Sequence, residues 1–100
     1  MARGTIKIRL LGVFKEAYGA SSEHVEIEGK VRLKDIIWRL ADSSEDLRRA
    51  LIDPELESPL PNAVIIVNGR DISALDGLET EVESGDEIVL IPLIRCGATR

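Results

Sequence analysis

The first residues of the chain alternate strictly between apolar and charged side chains. The alternation runs through Ile6, Lys7, Ile8, Arg9 and Leu10. A period of two places the apolar residues on one face of an extended chain, which is typical of a strand with one buried face. We therefore predict a first strand over residues 5–14, followed by a loop over residues 15–22. A second alternating stretch over residues 24–28 predicts the partner strand of a hairpin.

After residue 32 the apolar spacing changes to that of a helix. Four apolar residues recur at intervals of three and four, namely Leu33, Ile36, Ile37 and Leu40. This stripe predicts the main helix, with one side against the core. Trp38 lies off the stripe, and we expect it to pack under the following segment. Ser43 or Ser44 should cap a second short helix that ends before Pro54.

The second half of the chain has the pattern of further strands separated by turns. Residues 63–67 are five consecutive apolar residues, which predicts a strand covered on both faces and central in its sheet. Asn68-Gly69 follows at once and predicts a type I′ turn, after which a short return strand starts at Arg70. Residues 87–92 alternate again and predict the last strand.

This order of elements predicts an α+β fold. Its expected core is a mixed sheet of four to five strands with one main helix packed on one face. A chain of 100 residues is too short to bury two separate cores, so we expect one domain over residues 1–92. Residues 93–100 lack periodicity and contain Gly97, which predicts a flexible C-terminal tail.

Charge is distributed unevenly along the chain, and this limits the classes of partner that the protein is expected to bind. The net charge is −5, and residues 71–87 contain seven acidic residues and no basic one. Such a surface repels phosphate backbones, so a nucleic-acid partner is disfavoured. The acids can form a solvated face, or a docking surface for a basic partner. The chain has no apolar run of membrane-spanning length and no secretion signal, so we expect no membrane partner and a cytoplasmic location.

The side chains that carry most enzyme chemistry are sparse. His24 is the only histidine and Cys96 the only cysteine, and neither stands in a metal-ligand spacing. No glycine-rich phosphate loop follows a strand. We therefore expect no metal, no cofactor and no classical catalytic site. What remains is the tail, which can be an ordinary frayed terminus or a segment that enters a narrow channel of another protein.

Two segments of the second half carry a resemblance to a known family. Residues 67–70 read Val-Asn-Gly-Arg, and residues 82–92 read Val-Glu-Ser-Gly-Asp-Glu-Ile-Val-Leu-Ile-Pro. They resemble the β-grasp sulfur carriers of the MoaD/ThiS type. This group includes the small subunit of molybdopterin synthase, the thiamine sulfur carrier and the related ubiquitin-like modifiers. The resemblance spans nearly the whole chain and implies a β-grasp, ubiquitin-like roll.

The resemblance also implies a function for the C-terminus. In that family an E1-like, ATP-dependent activating enzyme adenylates a terminal glycine, which then becomes a thiocarboxylate or forms an isopeptide bond. The chain would be a carrier substrate, or the non-catalytic small subunit of molybdopterin synthase working with its large subunit. Where the family carries two glycines this chain has Cys96 and Gly97, followed by three further residues.

The resemblance assigns roles to six residues near the C-terminus. Gly97 would be the activated residue, exposed by a processing protease that removes residues 98–100. The residues expected to contact the partner are Ile91, Leu93, Ile94, Arg95 and Cys96. The alternative is a non-enzymatic β-grasp interaction module that lacks an activatable end and acts through its sheet face or an edge strand. A third hypothesis is a redox role for Cys96.

Overall fold

A computed structural model describes residues 3–93 of the chain. Its strands and helices are, in order, β1 (Arg3–Leu10), α1 (Gly12–Tyr18), β2 (Ser22–Glu28), β3 (Val31–Arg32), α2 (Leu33–Asp42), α3 (Glu45–Leu51), β4 (Ala63–Val67), β5 (Arg70–Asp71), β6 (Glu81–Val82) and β7 (Glu87–Pro92). Two 3₁₀ turns, Ile72–Ala74 and Gly77–Glu79, connect β5 to β6.

Five strands of the described residues form one mixed sheet. Their order is β2-β1-β7-β4-β5, with β1 and β7 parallel and the other neighbours antiparallel. The short strands β3 and β6 pair separately as a two-stranded sheet. The chain therefore has the α+β architecture and the antiparallel pairing of the first two strands that its pattern predicts.

The core lies between one face of the five-stranded sheet and the helices. Alternate residues of the strands enter it, and α2 contributes the whole predicted stripe of Leu33, Ile36, Ile37 and Leu40. Burying apolar area on this scale is the main driving force for folding. Within residues 3–93 no helix combines the length and apolar character needed to span a bilayer.

The predicted helix signals are confirmed. Helix α2 begins at Leu33, and α3 begins after Ser44, whose side-chain oxygen accepts a hydrogen bond from the Leu47 N–H at 3.3 Å. This bond satisfies one of the backbone donors that the first turn of a helix leaves unpaired. Trp38 packs against the core, with the Arg48 guanidinium 5.5 Å from its ring centroid.

The prediction for residues 11–22 was wrong. Strand β1 ends at Leu10, and α1 occupies the segment assigned to the end of the strand and the loop. Gly12 has φ +56°, which breaks the extended chain, and Gly19 at φ +90° caps the helix by donating its N–H to the Lys15 carbonyl. Phe14 is fully buried, so core packing stabilises a helix that is only seven residues long.

The prediction that residues 63–67 form a central strand covered on both faces was also wrong. Ala63, Ile65 and Val67 are buried, whereas Val64 and Ile66 are half-buried on the opposite face. The central strand is β7, which lies between β1 and β4. The helices pack on one face only, so the outward residues of β4 remain accessible to solvent.

Candidate functional site

The end of β7 is where the predicted tail begins. The ladder between β7 and β4 extends one residue past the strand, because the Leu93 N–H donates to the Asn62 carbonyl at 3.0 Å. Leu93 itself is 47% exposed. Ile91 and Leu93 are thus placed close together at one end of the sheet. The other predicted site residues, Ile94, Arg95, Cys96 and Gly97, lie outside the described residues.

An apolar patch lies on the solvent-facing side of the sheet next to this end. It consists of Val64, Ile66, Val89 and Ile91, which we call the outer patch. Val64 is directly opposite Ile91, and Ile66 is directly opposite Val89, in the antiparallel register of β4 and β7. All four are half-buried, with no helix covering them among the described residues. A contiguous apolar patch of this kind on a sheet face is typical of an interaction surface.

Sequence reasoning identified only Ile91 of these four residues. The signal for Val89 was available in the alternation of residues 87–92, which puts it on the same face as Ile91. Val64 and Ile66 were missed because a run of five apolar residues hides which face of a strand is covered. Only the pairing of β4 with β7 shows which residues of β4 lie on the covered face.

Charged residues flank the outer patch in the same rows of the sheet. Arg9 lies opposite Val89, and Lys7 lies opposite Glu87, in the parallel register of β1 and β7. On the other side Asp71 lies opposite Ile66. The patch therefore has a basic border on the β1 side and an acidic border on the β5 side. Such a border gives orientation and on-rate to a docking partner more than affinity.

The start of α1 packs against the end of β7. A Cβ added at Gly12 would lie 2.9 Å from the Pro92 Cγ, and the Leu11 N–H donates to the Leu90 carbonyl at 3.2 Å. Leu11 is 36% exposed beside this contact. The end of β7 is therefore held by β1, α1 and β4 together. This support was not predicted, although Phe14 and Tyr18, four residues apart and followed by Gly19, are a helix signal.

The two motifs that carry the family resemblance contact each other. The Asn68 amide donates from Nδ2 to Asp86 Oδ1 at 2.9 Å, and its Oδ1 accepts from the Glu87 N–H at 2.9 Å. The second Asp86 oxygen accepts from the Glu83 N–H at 2.8 Å. These bonds fasten the turn after β4 to the turn before β7. The motif residues within the described chain therefore have a structural role.

The acidic stretch over residues 71–87 is partly engaged within the molecule. Glu79 accepts a hydrogen bond from Lys34 Nζ at 2.9 Å and lies 3.4 Å from Arg32. The hydrogen bond from Lys34 lowers the pKa of the Glu79 carboxyl from its ordinary value, and the charges of Lys34 and Arg32 act in the same direction. Asp71 accepts from the Ser73 N–H at 2.8 Å. Among residues 3–93 no group of three His, Cys, Asp or Glu side chains could hold a metal ion.

Comparison with solved structures defines the class of fold. The structure of small archaeal modifier protein 1 from Methanosarcina acetivorans matches with a TM-score of 0.79 over 94% of this chain and 97% of that one, at 24% identity. The chain therefore has a ubiquitin-like β-grasp fold, as the resemblance implied.

Comparison of sequences then identifies the family. The sequence model of the ThiS family matches residues 8–97, which is most of the chain. The protein belongs to the ThiS family.

Two curated relatives are similar along most of their length. Small archaeal modifier protein 3 from Haloferax volcanii is 26% identical over 93 residues, covering 92% of this chain and 98% of the relative. A putative sulfur carrier protein from Archaeoglobus fulgidus is 43% identical over 70 residues, covering 68% of this chain and 76% of the relative. The chain is thus a member of a family of sulfur carriers and ubiquitin-like modifiers.

Proposed function

We propose that this protein is a sulfur carrier whose Gly97 carboxylate is adenylated and converted to a thiocarboxylate after residues 98–100 are removed. The observation that carries this proposal is the extent of the family match, which runs through the end of β7 and stops at residue 97. The names of the two relatives support the same class of function. The role within molybdopterin synthase is the form of this proposal that the resemblance favours.

The proposed chemistry takes place on the Gly97 carboxylate. Hydrolysis of the peptide bond between Gly97 and Ala98 exposes that carboxylate. Its oxygen attacks the α-phosphate of ATP, and pyrophosphate leaves, so that an acyl-adenylate is formed. Hydrosulfide from the sulfur donor then attacks the carbonyl carbon, AMP leaves and the S–H proton is lost, which gives the thiocarboxylate; loss of AMP is easier than loss of oxide from a free carboxylate. The carrier supplies the substrate, and the activating enzyme supplies the catalytic groups.

The geometry at the end of β7 suits this role. Gly97 is four residues beyond Leu93 in the sequence. Four extended residues reach about 13 Å, enough to cross the wall of a partner's active site while the folded domain stays outside. Glycine has no Cβ, so its carbonyl can be approached closely in a narrow channel.

We propose that the outer patch and the residues after it form the surface that docks on the partner. Ile91 and Leu93 belong to this surface, and Ile94, Arg95 and Cys96 form the stalk that follows it. The support is that the half-buried apolar patch includes Ile91 of β7, the strand that ends next to the exposed Leu93. The proposed partners are an E1-like activating enzyme, the large subunit of molybdopterin synthase, and a protease that trims the terminus.

The test is the intact mass of the protein after incubation with ATP, a cognate activating enzyme and a sulfur donor. We expect loss of residues 98–100 and exchange of one oxygen for sulfur at the new terminus. The variant Gly97→Val should fold normally and fail to be activated, because its branched side chain blocks the channel.

Cys96→Ala is the matched control, since it changes the neighbouring residue and removes the thiol. We expect it to be activated at the rate of the wild type. Loss of activation in Cys96→Ala would favour the redox hypothesis for that thiol. An untrimmed, unmodified chain under conditions that activate a related carrier would favour the interaction module.

A further inference from the structure

Strand β2 lies at one edge of the five-stranded sheet. Its outer side, which we call the free edge, pairs with no other strand among residues 3–93. β2 is seven residues long, whereas β5 at the opposite edge has only two. A long edge strand presents a row of N–H and C=O groups that another strand can bind. The free edge is therefore a template on which a further strand can pair.

The register of β2 shows which of its residues direct their backbone groups outwards. The Leu10 N–H donates to the Ser21 carbonyl at 2.9 Å, so the odd-numbered residues of this segment hydrogen bond to β1. In an antiparallel strand the groups of alternate residues point to opposite sides. The free edge therefore carries the N–H and C=O groups of the even-numbered residues, which are Ser22, His24, Glu26 and Glu28.

The free edge lies far from the end of β7. The registers of β1 with β2 and with β7 place Glu26 about 28 Å from Leu93 across the sheet. Residues 94–100 span at most about 25 Å, so they do not reach Glu26. Residues 1–2 adjoin Arg3, which pairs with Glu28 from the other side of β2, and two residues are too few to run back along the free edge. The middle of the free edge is therefore beyond the reach of both segments.

The charges of β2 match those of a second copy in one register. If two β2 strands pair antiparallel about a two-fold axis at Val25, all seven residues of each strand overlap. His24 of each copy then lies opposite Glu26 of the other, on the outer face of the sheet. An axis at His24 would instead place His24 opposite itself, and an axis at Glu26 would place two glutamates opposite each other. The register of greatest overlap is thus also the one with complementary charges.

A second pair of charges matches on the core side of the free edge. Two open cavities of about 400 and 330 Å³ lie along β2, and Arg39 of α2 lines both. Arg39 is exposed and takes part in none of the ion pairs among residues 3–93. In the register centred on Val25, Glu23 of the other copy lies opposite Ile27, which lines one of these cavities together with Arg39. Glu23 points to the core side because it alternates with His24.

We propose that β2 pairs with β2 of a second copy of this chain, antiparallel about Val25, to form a symmetric dimer in which the two sheets are continuous. The even-numbered residues hydrogen bond across the axis. His24 pairs with Glu26 on the outer face and Arg39 pairs with Glu23 on the core side, each twice. The outer patch lies on β4 and β7, so the dimer leaves it free. This dimer goes beyond the proposed function and does not depend on activation of Gly97.

The first measurement is sedimentation velocity of the full-length protein from micromolar to millimolar concentration. We expect a reversible equilibrium between monomer and dimer, because an interface one strand wide is small. A protein that stays monomeric at millimolar concentration would overturn the proposal.

Hydrogen exchange over the same concentrations locates the interface. The amides of His24 and Glu26 should become protected as the dimer forms, whereas the Val25 amide, which faces β1, should be protected throughout. Protection of His24 and Glu26 that is already complete in the monomer would mean that the chain itself covers the free edge. That result, or a dimer that leaves these two amides unprotected, would overturn the proposal.

Two charge substitutions and their combination test the register. His24→Glu puts a glutamate opposite each Glu26, and Glu26→Arg removes the partner of each His24. Every substitution acts twice in a symmetric dimer, so each should weaken dimerisation roughly tenfold. The double variant His24→Glu/Glu26→Arg restores opposite charges and should dimerise at least as tightly as the wild type. Failure of the double variant to recover would contradict the register.

Glu55→Arg is the matched control for Glu26→Arg. It makes the same change of net charge at an exposed residue of the loop after α3. We expect it to dimerise like the wild type. Equal weakening by Glu55→Arg and Glu26→Arg would show that net charge, and not a contact at the free edge, sets the affinity, and would refute the proposal.

Mixing the two single variants tests the same contact without a further substitution. In a mixed dimer the introduced arginine lies opposite the introduced glutamate, and one native pair of His24 with Glu26 is kept. The mixture should therefore dimerise roughly tenfold more tightly than either variant alone. A mixture that behaves as the average of its two components would show that positions 24 and 26 do not face each other across the axis.

Arg39→Gln tests the core side of the interface. It removes two exposed charge pairs from the dimer and should weaken it roughly threefold or more. Arg70→Gln is the control, because Arg70 is exposed on β5 at the opposite edge of the sheet. Circular dichroism verifies the fold of every variant. Equal dimerisation of the Arg39 and Arg70 variants would contradict the proposed geometry.

Discussion

Asn68 and Asp86 show how two single residues hold the sheet together. Asn68 has φ +52°, a conformation that asparagine tolerates better than most residues, and Gly69 follows at φ +84°. The pair has the positive φ values of a type I′ turn. The Asn68 side chain donates a hydrogen bond to Asp86. Asp86 also accepts from the Glu83 N–H, and this second bond stabilises the turn before β7. The Asn68-Gly69 motif is therefore explained by the geometry of its own turn and by the hydrogen bond from Asn68 to Asp86 in the turn before β7.

Removing either partner of this bond should destabilise the fold. We expect Asp86→Ala to lower the free energy of unfolding by about 1–2 kcal/mol, because two donors lose their acceptor. Asn68→Gly removes the side chain without penalising the positive φ, and should cost about 1 kcal/mol. Urea denaturation followed by circular dichroism measures both. The double variant should lose less than the sum of the two, since they share one bond; strict additivity would contradict the assigned contact.

At the scale of elements, Lys34 connects the main helix to a 3₁₀ turn. Lys34 lies in the first turn of α2, and Glu79 ends the turn Gly77–Glu79. The same glutamate also pairs with Arg32, the residue that precedes the helix. The three residues link β3, α2 and the 3₁₀ turn that precedes β6. The charges are exposed, so their contribution is modest and sensitive to salt.

The lowered pKa of Glu79 predicts a direction of pH dependence. A carboxyl whose pKa is lowered on folding stabilises the fold above its unfolded pKa, and this contribution is lost as pH falls through the folded pKa. The difference in unfolding free energy between the wild type and Glu79→Gln should therefore be largest near neutral pH and shrink in acid.

An NMR titration checks the cause of that shift. Lys34→Met removes the hydrogen bond that lowers the pKa of Glu79 and should raise that pKa towards its ordinary value. In the Lys34→Met background, Glu79→Gln should change stability less than it does in the wild type. A Glu79 pKa that does not move would show that Arg32, and not Lys34, dominates the shift.

At the scale of the whole molecule, the helices cover one face of the sheet, and the proposed docking surface lies on the other. The outer patch lies on that face, and β7 ends beside it. A domain of this size has to bury most of its apolar side chains to be stable. A group of four β-branched residues that the fold leaves only half-buried is therefore consistent with a role in binding.

Charge placed in the outer patch should impair activation without unfolding the protein. We expect Ile66→Lys to slow activation by a cognate E1-like enzyme about tenfold or more at low carrier concentration, as for a central interface residue. Leu56→Lys is the control, because Leu56 is 67% exposed and lies outside the patch. Rates come from adenylate formation, and thermal melts verify the fold. Equal rates for the two variants would exclude the patch as the docking surface.

The local patterns that predicted elements correctly are those whose cause lies within a few residues. The stripe of α2, the Ser44 cap, the Asn68-Gly69 turn and the alternation of β7 each depend on backbone preferences or on a short period. The predicted roles of Ile94, Arg95, Cys96 and Gly97 were assigned from resemblance and stay predictions.

Sequence alone therefore determined the class of fold, most of its elements and the family to which the chain belongs. The tertiary structure decided what depends on contacts between distant residues. Helix α1 exists because Phe14 is buried against the core, and the outer patch exists because Val64 and Ile66 pair with Ile91 and Val89. A period along the chain shows which residues share a face, but only strand pairing shows which face and which edge remain open.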